Sequence, residues 1–321
     1  MLYGMNEDTI ECYEKHINIK KVIIVIAIII GILLLTFGIV CFLLNKSNSE
    51  NEVKSETNSL LENEVIETQN EISSQENIVE EIKIEIASHD FVKLRNSFLP
   101  KPNENASQEI KNIYFSEEKQ VYLTFDDGPS KDITPQILDI LRENNVKATF
   151  FVLGSSIERY PETLKREFEE GHYIANHGYS HVYSKIYKSK DTVFEEFAKT
   201  EDAIKLALGN PDYNSYLFRF PGGSSGGKYS GVKAEARELL NSYGVAFTNW
   251  NALTGDAEGK VTKEDCIAEM INTIGKQKSV ILLMHDANDK TQTVEALPSI
   301  IEYFKNEGYE FKTFYDIFKE K

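Results

Sequence analysis

From about residue 112 onward, short apolar runs alternate with amphipathic stretches along the chain. The apolar runs have the length and composition of buried strands, and turn residues such as Asp127-Gly128-Pro129 follow the first of them. Between the runs, apolar residues recur at helical spacing, as at positions 133, 137, 138 and 141. Strands are predicted at 121–125, 148–153, 173–176, 216–220, 245–250 and 280–284. Alternating strands and helices predict a parallel α/β domain, either a barrel or an open sheet.

A very different apolar run occupies residues 22–44, which carry no charged side chain. A bilayer-spanning helix needs about 20 such residues, whereas the apolar core of a signal peptide has only about 7–15. No small-residue cleavage pattern follows, and a buried core helix is disfavoured by the length and purity of the run. Lysines precede the run, which favours a cytoplasmic tail at 1–21 and a single-pass protein of the cell membrane with an extracytoplasmic C-terminal domain.

Charge separates the next segment from the rest of the chain. The net charge is -16, and residues 45–90 contain twelve acidic and three basic residues. This stretch is rich in Glu, Asn and Ser and predicts a flexible or partly helical stalk, which the linker-like residues 91–111 extend. The remaining chain is only modestly acidic, so we expect no nucleic-acid partner. The folded domain is predicted at 112–321.

Cysteine usage adds little to this picture. The three cysteines lie at positions 12, 41 and 266, and no Cys-x-x-Cys pair occurs. Neither a thiolate zinc site nor a disulfide framework is indicated, and Cys266 has no evident partner.

Polar clusters follow the predicted strands, at the edge where parallel α/β folds build their sites. The clusters are Asp126-Asp127, His177 with His181, Arg219, Asp256 and His285-Asp286. Their common position at one edge raises the expectation that each belongs to a functional site.

Two of these clusters suggest a metal centre. Asp126-Asp127 is either a turn with helix-capping carboxylates or a pair of acids with separate roles, one holding a metal and one acting as a base. His177 and His181 are four residues apart, which on one helical turn would set both imidazoles on the same face. With a carboxylate from another strand they would form a two-histidine, one-carboxylate site with open positions for water and substrate. Chance pairing of histidines is the alternative.

The other clusters suggest proton transfer and charge stabilisation. Arg219 emerges from an apolar strand and needs an acidic partner, because its charge cannot be shed. Gly222 and Gly223 either form a rigid turn or let the backbone approach a ligand and offer N–H donors. His285 is a candidate general acid tuned by a nearby carboxylate, or a core histidine with a local hydrogen bond.

Taken in order, five motifs resemble those of the polysaccharide deacetylase family, also known as the NodB-homology family or carbohydrate esterase family four. They are Thr124-Phe125-Asp126-Asp127-Gly128-Pro129, His177-x-x-x-His181, Arg219-x-Pro221-Gly222, Trp250 through Asp256, and Leu283-Met284-His285. The resemblance runs from about residue 112 to the C-terminus, and it implies a distorted, TIM-like (β/α) barrel.

The resemblance also assigns roles to individual residues. Asp127, His177 and His181 would bind a divalent metal, zinc first, with cobalt or another divalent ion as alternatives. Asp126 would be the general base for the attacking water, and Arg219 would pair with it. The Gly222 N–H would stabilise the oxyanion. His285 would protonate the departing amine, and Asp256 would orient His285.

Three positions depart from the commonest family pattern. Gly178 stands where Ser or Thr often follows the first histidine, Gly222 replaces an aromatic residue, and Ala257 replaces a tryptophan. These departures concern substrate choice and groove shape. The aromatic residues expected to line the sugar are Tyr179, Phe220 and Trp250.

The implied activity is hydrolytic N-deacetylation of a cell-surface polysaccharide, with N-acetylglucosamine of peptidoglycan as the expected substrate. Chitin oligomers or an exopolysaccharide are alternative polymers. A catalytically silent carbohydrate-binding module on a membrane stalk is the second hypothesis. A non-haem iron oxygenase is the third, although that class usually spaces its ligands as His-x-Asp or His-x-Glu.

Overall fold

A sheet of eight parallel strands forms the centre of the domain, in the order β5-β4-β3-β2-β1-β7-β6 with β8 beside β1. The strands are β1 Gln120–Asp126, β2 Thr149–Val152, β3 Tyr173–Asn176, β4 Leu217–Phe218, β5 Ala246–Phe247, β6 Ala252–Leu253, β7 Ser279–His285 and β8 Glu310–Lys312. This computed structural model describes residues 99–259 and 261–319. The predicted parallel α/β fold is confirmed.

Strand β1 is the central strand, and all seven of its residues are buried. It pairs with β7 along its whole length, while β8 and β2 pair with its first and second halves on the other side. Its middle, residues 121–125, is apolar except for Thr124, which is typical of a strand that is covered on both faces. Within the described residues β5 and β6 do not pair, so the expected barrel is open at this point.

Helices connect the strands. They are α1 Ala106–Ile113, α2 Ile133–Glu143, α3 Gly154–Ile157, α4 Pro161–Glu169, α5 Tyr183–Ile186, α6 Lys190–Leu208, α7 Ser230–Ser242, α8 Lys263–Ile274 and α9 Thr291–Asn306, and a 3-10 turn follows at Phe314–Asp316. Capping boxes at Ser189 and Thr262 set the first residues of α6 and α8, since each side chain accepts the N–H three residues later. Cys266 is a buried free cysteine on α8.

Two predicted strands are much shorter in the structure. The strand expected at 216–220 is reduced to β4, because Tyr216 has a left-handed φ of 52° before it and Pro221 follows shortly after it. The strand expected at 245–250 is reduced to β5. β5 ends the sheet order and β4 lies next to it, and the chain leaves both strands early to form the loops of the site described below.

The predicted linker also requires a correction. Residues 91–111 were expected to be linker-like, but α1 packs Ala106, Ile110 and Ile113 into an apolar cluster with residues of the sheet and the C-terminal segment. The folded part therefore begins before residue 112.

The predicted membrane anchor at 22–44 and the stalk at 45–90 lie outside the described residues and stay predictions. Among residues 99–259 and 261–319, no helix has the length and apolar character that crossing a bilayer requires.

Candidate active site

The first elements of the site are two consecutive acids at the end of β1. Asp126 is the last residue of the strand and only 2% exposed. Asp127 has a left-handed φ of 80°, and the two carboxylates have different sets of neighbours. Asp126 pairs with a cation of the protein and lies 3.6 Å from one imidazole, while Asp127 contacts that imidazole and a second one. The structure therefore favours two separate roles over a helix-capping turn.

Arg219 is the buried cation beside Asp126. It is fully buried, and its Nη1 donates to Asp126 Oδ1 and to Thr124 Oγ1, each at 2.8 Å. Its guanidinium lies 3.8 Å from the ring centroid of Phe151. Arginine cannot be deprotonated in a protein. The positive charge of the guanidinium therefore always lies next to one oxygen of Asp126.

Asp127, His177 and His181 form a cluster of potential metal ligands, whose ligand atoms all lie within 4.8 Å of one another. The Asp127 Oδ1 atom is 3.6 Å from His177 Nε2 and 3.5 Å from His181 Nε2. Within the described part of the chain, this buried oxygen has no hydrogen-bond partner. Two imidazole nitrogens around an unsatisfied carboxylate oxygen fit a divalent transition-metal ion.

The protonation of His177 also suits a ligand. Its Nδ1 is 2.7 Å from the carbonyl oxygen of Arg219, which makes Nδ1 the donor and leaves the Nε2 lone pair facing Asp127. Burial lowers the pKa of His177 and outweighs the opposing charges of Asp126 and Asp127. A neutral imidazole with a free Nε2 is the form that binds metal.

The two histidines do not lie on a helical turn, which corrects the expectation from their spacing. They flank a loop between β3 and α5, where Gly178 and His181 have left-handed φ angles of 84° and 54°. These two backbone reversals, rather than helical periodicity, bring the imidazole ring centroids to 5.3 Å. Glycine at 178 fits a left-handed position at no steric cost.

Glu196 on α6 holds this loop, and nothing in its sequence setting pointed to it. Its Oε2 accepts the N–H groups of Tyr179 and Ser180 at 2.8 and 2.6 Å, and its Oε1 accepts the Ser180 hydroxyl at 2.8 Å. One carboxylate thus satisfies three donors between His177 and His181.

His285 and Asp256 form a second polar pair. His285 Nδ1 is 2.8 Å from Asp256 Oδ1, and the His285 N–H donates to Asp256 Oδ2 at 2.7 Å. Thr293 also donates to Oδ2. Burial opposes protonation of His285, but the hydrogen bond and charge of Asp256, with the charges of Asp126 and Asp127, raise its pKa to about 9. A protonated His285 is therefore available as a general acid.

The turn after Arg219 places Gly222 next to an aromatic residue that the sequence did not single out. Gly222 has a φ of 68°, and a Cβ atom on it would lie 2.5 Å from the Tyr183 hydroxyl. The Tyr183 ring lies edge-on to His181, with 5.5 Å between the ring centroids. The space next to Gly222 is thus filled from the start of α5, by a residue beside His181.

The three aromatic residues predicted to line the sugar have different positions. Phe220 is fully buried in an apolar cluster between the sheet and helices α6 and α7, so its prediction is wrong. Tyr179 is engaged by protein groups: Lys199 Nζ lies 3.4 Å from its ring centroid, and its hydroxyl donates to Glu158. Trp250 lies beside the turn, 3.7 Å from where a Cβ on Gly223 would be.

Three functions are available in this arrangement: binding of a divalent cation, acceptance of a proton by Asp126, and donation of a proton by His285.

Ala257, the third departure from the family pattern, follows Asp256 directly and is exposed.

Comparisons with known proteins identify relatives of this chain. The model of the family described as polysaccharide deacetylase matches residues 115–248. A peptidoglycan-N-acetylglucosamine deacetylase of Bacillus cereus is 32% identical over 205 residues, which are 62% of this chain and 71% of that protein. The peptidoglycan-N-acetylglucosamine deacetylase PgdA of Listeria monocytogenes is 36% identical over 207 residues, but the chain spans only 40% of its length.

A solved structure with the same fold is that of a CE4 esterase from Streptococcus mutans. It aligns with a TM-score of 0.59 and 32% identity, covering 64% of this chain and 90% of that one.

Proposed function

This chain belongs to the polysaccharide deacetylase family, and from that premise we propose that it is a metal-dependent hydrolase that removes N-acetyl groups from N-acetylglucosamine in peptidoglycan. The observation that carries the proposal is that Asp126 and Asp127, although consecutive, have different contacts. One carboxylate is paired with Arg219 through one oxygen and faces His177 with the other, and the second carboxylate faces both imidazoles. Hydrolysis of an amide needs both an electrophile and a base, and these two acids supply one site for each.

Asp127, His177 and His181 are the residues that would hold the cation. A divalent ion at this position supplies Lewis acidity toward the acetamide carbonyl and toward water. We propose zinc, because two imidazoles and a carboxylate with open positions are typical of catalytic zinc sites. Cobalt or another divalent ion is the alternative.

Asp126 accepts a proton from the attacking water. Its Oδ1 is bound to Arg219, and its Oδ2 lies 3.6 Å from His177 Nε2. The second oxygen therefore faces the proposed metal cluster, while the first keeps its hydrogen bond to Arg219. Addition of the water oxygen to the carbonyl carbon leaves negative charge on the acetamide oxygen, and we assign the Gly222 N–H as the hydrogen-bond donor to that oxygen.

His285 completes the reaction. It donates its proton to the amide nitrogen as the C–N bond breaks, so that acetate and a free amine leave. Asp256 holds the ring through Nδ1 and stabilises its charged form. Tyr183, beside His181 and 40% exposed, and Trp250 are the aromatic side chains proposed to contact the sugar.

Peptidoglycan is proposed as the polymer because both relatives described above carry that substrate in their names. The proposal includes a membrane anchor at 22–44, which would place the domain outside the membrane, next to the wall. Protease added to intact protoplasts should then remove the domain from the membrane fraction. Its resistance until the membrane is lysed would contradict this orientation.

Acetate release from N-acetylated peptidoglycan by the full chain tests the function. We expect release with zinc, none after chelation, and at least a hundredfold loss in Asp126→Asn, while the exposed Asp132→Asn retains activity. Chitin oligomers and an N-acetylated exopolysaccharide, assayed in parallel, identify an alternative polymer. Glycan binding by the zinc-loaded chain without acetate release from any polymer would favour the binding module instead.

A further inference from the structure

One amide group joins the proposed oxyanion donor to a buried tyrosine. The Gly222 N–H and the Pro221 carbonyl belong to the same peptide unit. That carbonyl accepts a hydrogen bond from the Tyr187 hydroxyl at 2.7 Å. Tyr187 is only 2% exposed and directly follows α5, the short helix after the metal-binding loop.

We propose that Tyr187 is a positioning residue for deacetylation, whose hydroxyl polarises the Pro221–Gly222 amide and so strengthens the Gly222 N–H as the oxyanion donor. The inference rests on the proposed function and adds a residue to it. Tyr187 itself contacts neither the metal ligands nor the proton-transfer residues by any hydrogen bond in the described part of the chain.

The physical basis is the cooperativity of hydrogen bonds through an amide. A donor on the carbonyl oxygen draws electron density from the nitrogen and makes the N–H of the same unit a better donor, an effect that is larger in a buried environment. Among residues 99–259 and 261–319, no protein acceptor for the Gly222 N–H is found. This N–H is therefore available to donate to a ligand.

Tyr187 is suited to be a permanent donor. Burial, and to a smaller degree Tyr183, raise its pKa, so the phenol stays protonated. The Lys233 ammonium lies 4.8 Å from the centroid of the Tyr187 ring. A cation next to the ring draws charge from it, which makes the hydroxyl a stronger donor.

The rest of the turn is held in place by other side chains. Lys233 Nζ donates to the Gly222 carbonyl at 3.3 Å, and the Ser224 N–H donates to Asn249 Oδ1 at 2.9 Å. The carbonyls of two consecutive residues, Pro221 and Gly222, thus each accept from a buried side chain. Preorganised donors of this kind lower the cost of charge development, because nothing has to reorient during the reaction.

The test compares two tyrosine-to-phenylalanine substitutions in the full zinc-loaded chain. Tyr187→Phe removes the hydroxyl and keeps the ring. Tyr213→Phe is the matched control, because Tyr213 is also buried and donates to a backbone carbonyl, that of Ile174, within the core. Acetate release from peptidoglycan fragments gives kcat and KM, and melting temperatures measure stability.

We expect kcat to fall about three- to tenfold in Tyr187→Phe, less than the 10²–10³ lost when an oxyanion donor is removed altogether. KM should stay within about twofold, and Tyr213→Phe should lower the melting temperature without lowering kcat. An unchanged kcat in Tyr187→Phe, or an equal fall in both variants, overturns the inference. No acetate release by the unsubstituted chain refutes the proposed function itself.

If Tyr187→Phe fails to fold, a fluorinated tyrosine placed only at position 187 tests whether the hydroxyl polarises the Pro221–Gly222 amide. Fluorination makes the phenol more acidic and a stronger donor without changing its packing appreciably. A kcat at or above that of the natural chain, with an upward trend as fluorines are added, supports polarisation. A kcat that does not respond to the acidity of the phenol indicates a structural role and overturns it.

Discussion

Asp126 and His285 are direct neighbours in register on the adjacent strands β1 and β7. The N–H of Asp286 donates to the Asp126 carbonyl at 3.1 Å and extends the ladder one residue beyond His285. The proposed base and the proposed acid are therefore fixed relative to each other by the backbone of a buried sheet rather than by loops. Sites built on such elements hold their geometry more accurately than sites built on loops.

The alkaline limb of the pH–rate profile should depend on Asp256. His285 must be protonated to act as an acid, so activity should be lost as the pH rises through its raised pKa of about 9. Asp256→Asn removes the charge that raises this pKa, so the limb should move to lower pH. A bound cation lowers the pH of the alkaline limb in both the unsubstituted chain and Asp256→Asn. The test therefore compares the pH of the limb between these two proteins.

The pH dependence of kcat/KM measures this shift. Asp289→Asn, an exposed acid beyond β7, is the control and should leave the limb where it is. An alkaline limb that does not move in Asp256→Asn contradicts the role of the pair.

The two consecutive acids should separate metal binding from catalysis. Asp127→Asn should lower zinc affinity at least tenfold, because it removes the charged ligand of the cluster. Asp126→Asn should keep zinc, since its Oδ1 faces Arg219, yet lose activity. Zinc retained during dialysis against graded chelator, measured by elemental analysis beside acetate release, distinguishes the two. Equal loss of metal in both variants would show that the carboxylates share one role.

Removal of Arg219 should destabilise the fold strongly. Arg219→Met leaves the buried Asp126 carboxylate unpaired, which costs about 3–5 kcal/mol. The control Arg142→Met breaks an exposed pair with Asp139 and should cost at most about 1 kcal/mol. Urea denaturation measures both, and adding Asp126→Asn to Arg219→Met should recover part of the loss. Similar costs at the two arginines would contradict a buried ion pair.

The loop between His177 and His181 should depend on Glu196. Glu196→Ala leaves the Tyr179 and Ser180 N–H groups without their acceptor, and we expect zinc affinity to fall about 10- to 100-fold, as when an outer hydrogen-bond partner of a metal site is lost. Glu195→Ala, at the exposed neighbouring position, is the matched control. Zinc dissociation constants from chelator competition measure the effect. Unchanged values would show that the loop keeps its conformation without the Glu196 carboxylate.

Much of this protein is determined by the sequence itself. The run 121–125, which becomes most of β1, has the length and composition of a buried strand, and the helical spacing that follows it predicts a parallel α/β arrangement. The clusters at Asp126-Asp127 and His285 follow such strands directly, so parallel pairing alone brings them to one edge of the sheet. Residue types and strand ends were therefore enough to predict which groups meet.

The tertiary structure decided how those groups are held. The contact of Asp126 with Arg219 joins residues 93 positions apart. The contacts of Glu196 with the loop between His177 and His181 join residues 16 and 17 positions apart. No local pattern specifies either contact. Left-handed backbone at Gly178 and His181 replaced the helical turn that spacing suggested. The burial of Phe220 and the approach of Tyr183 to Gly222 depend on how helices α5, α6 and α7 pack against the sheet and its loops. Periodicity reports local burial and strand order, whereas the direction of a side chain in a loop is set by distant partners that only folding brings near.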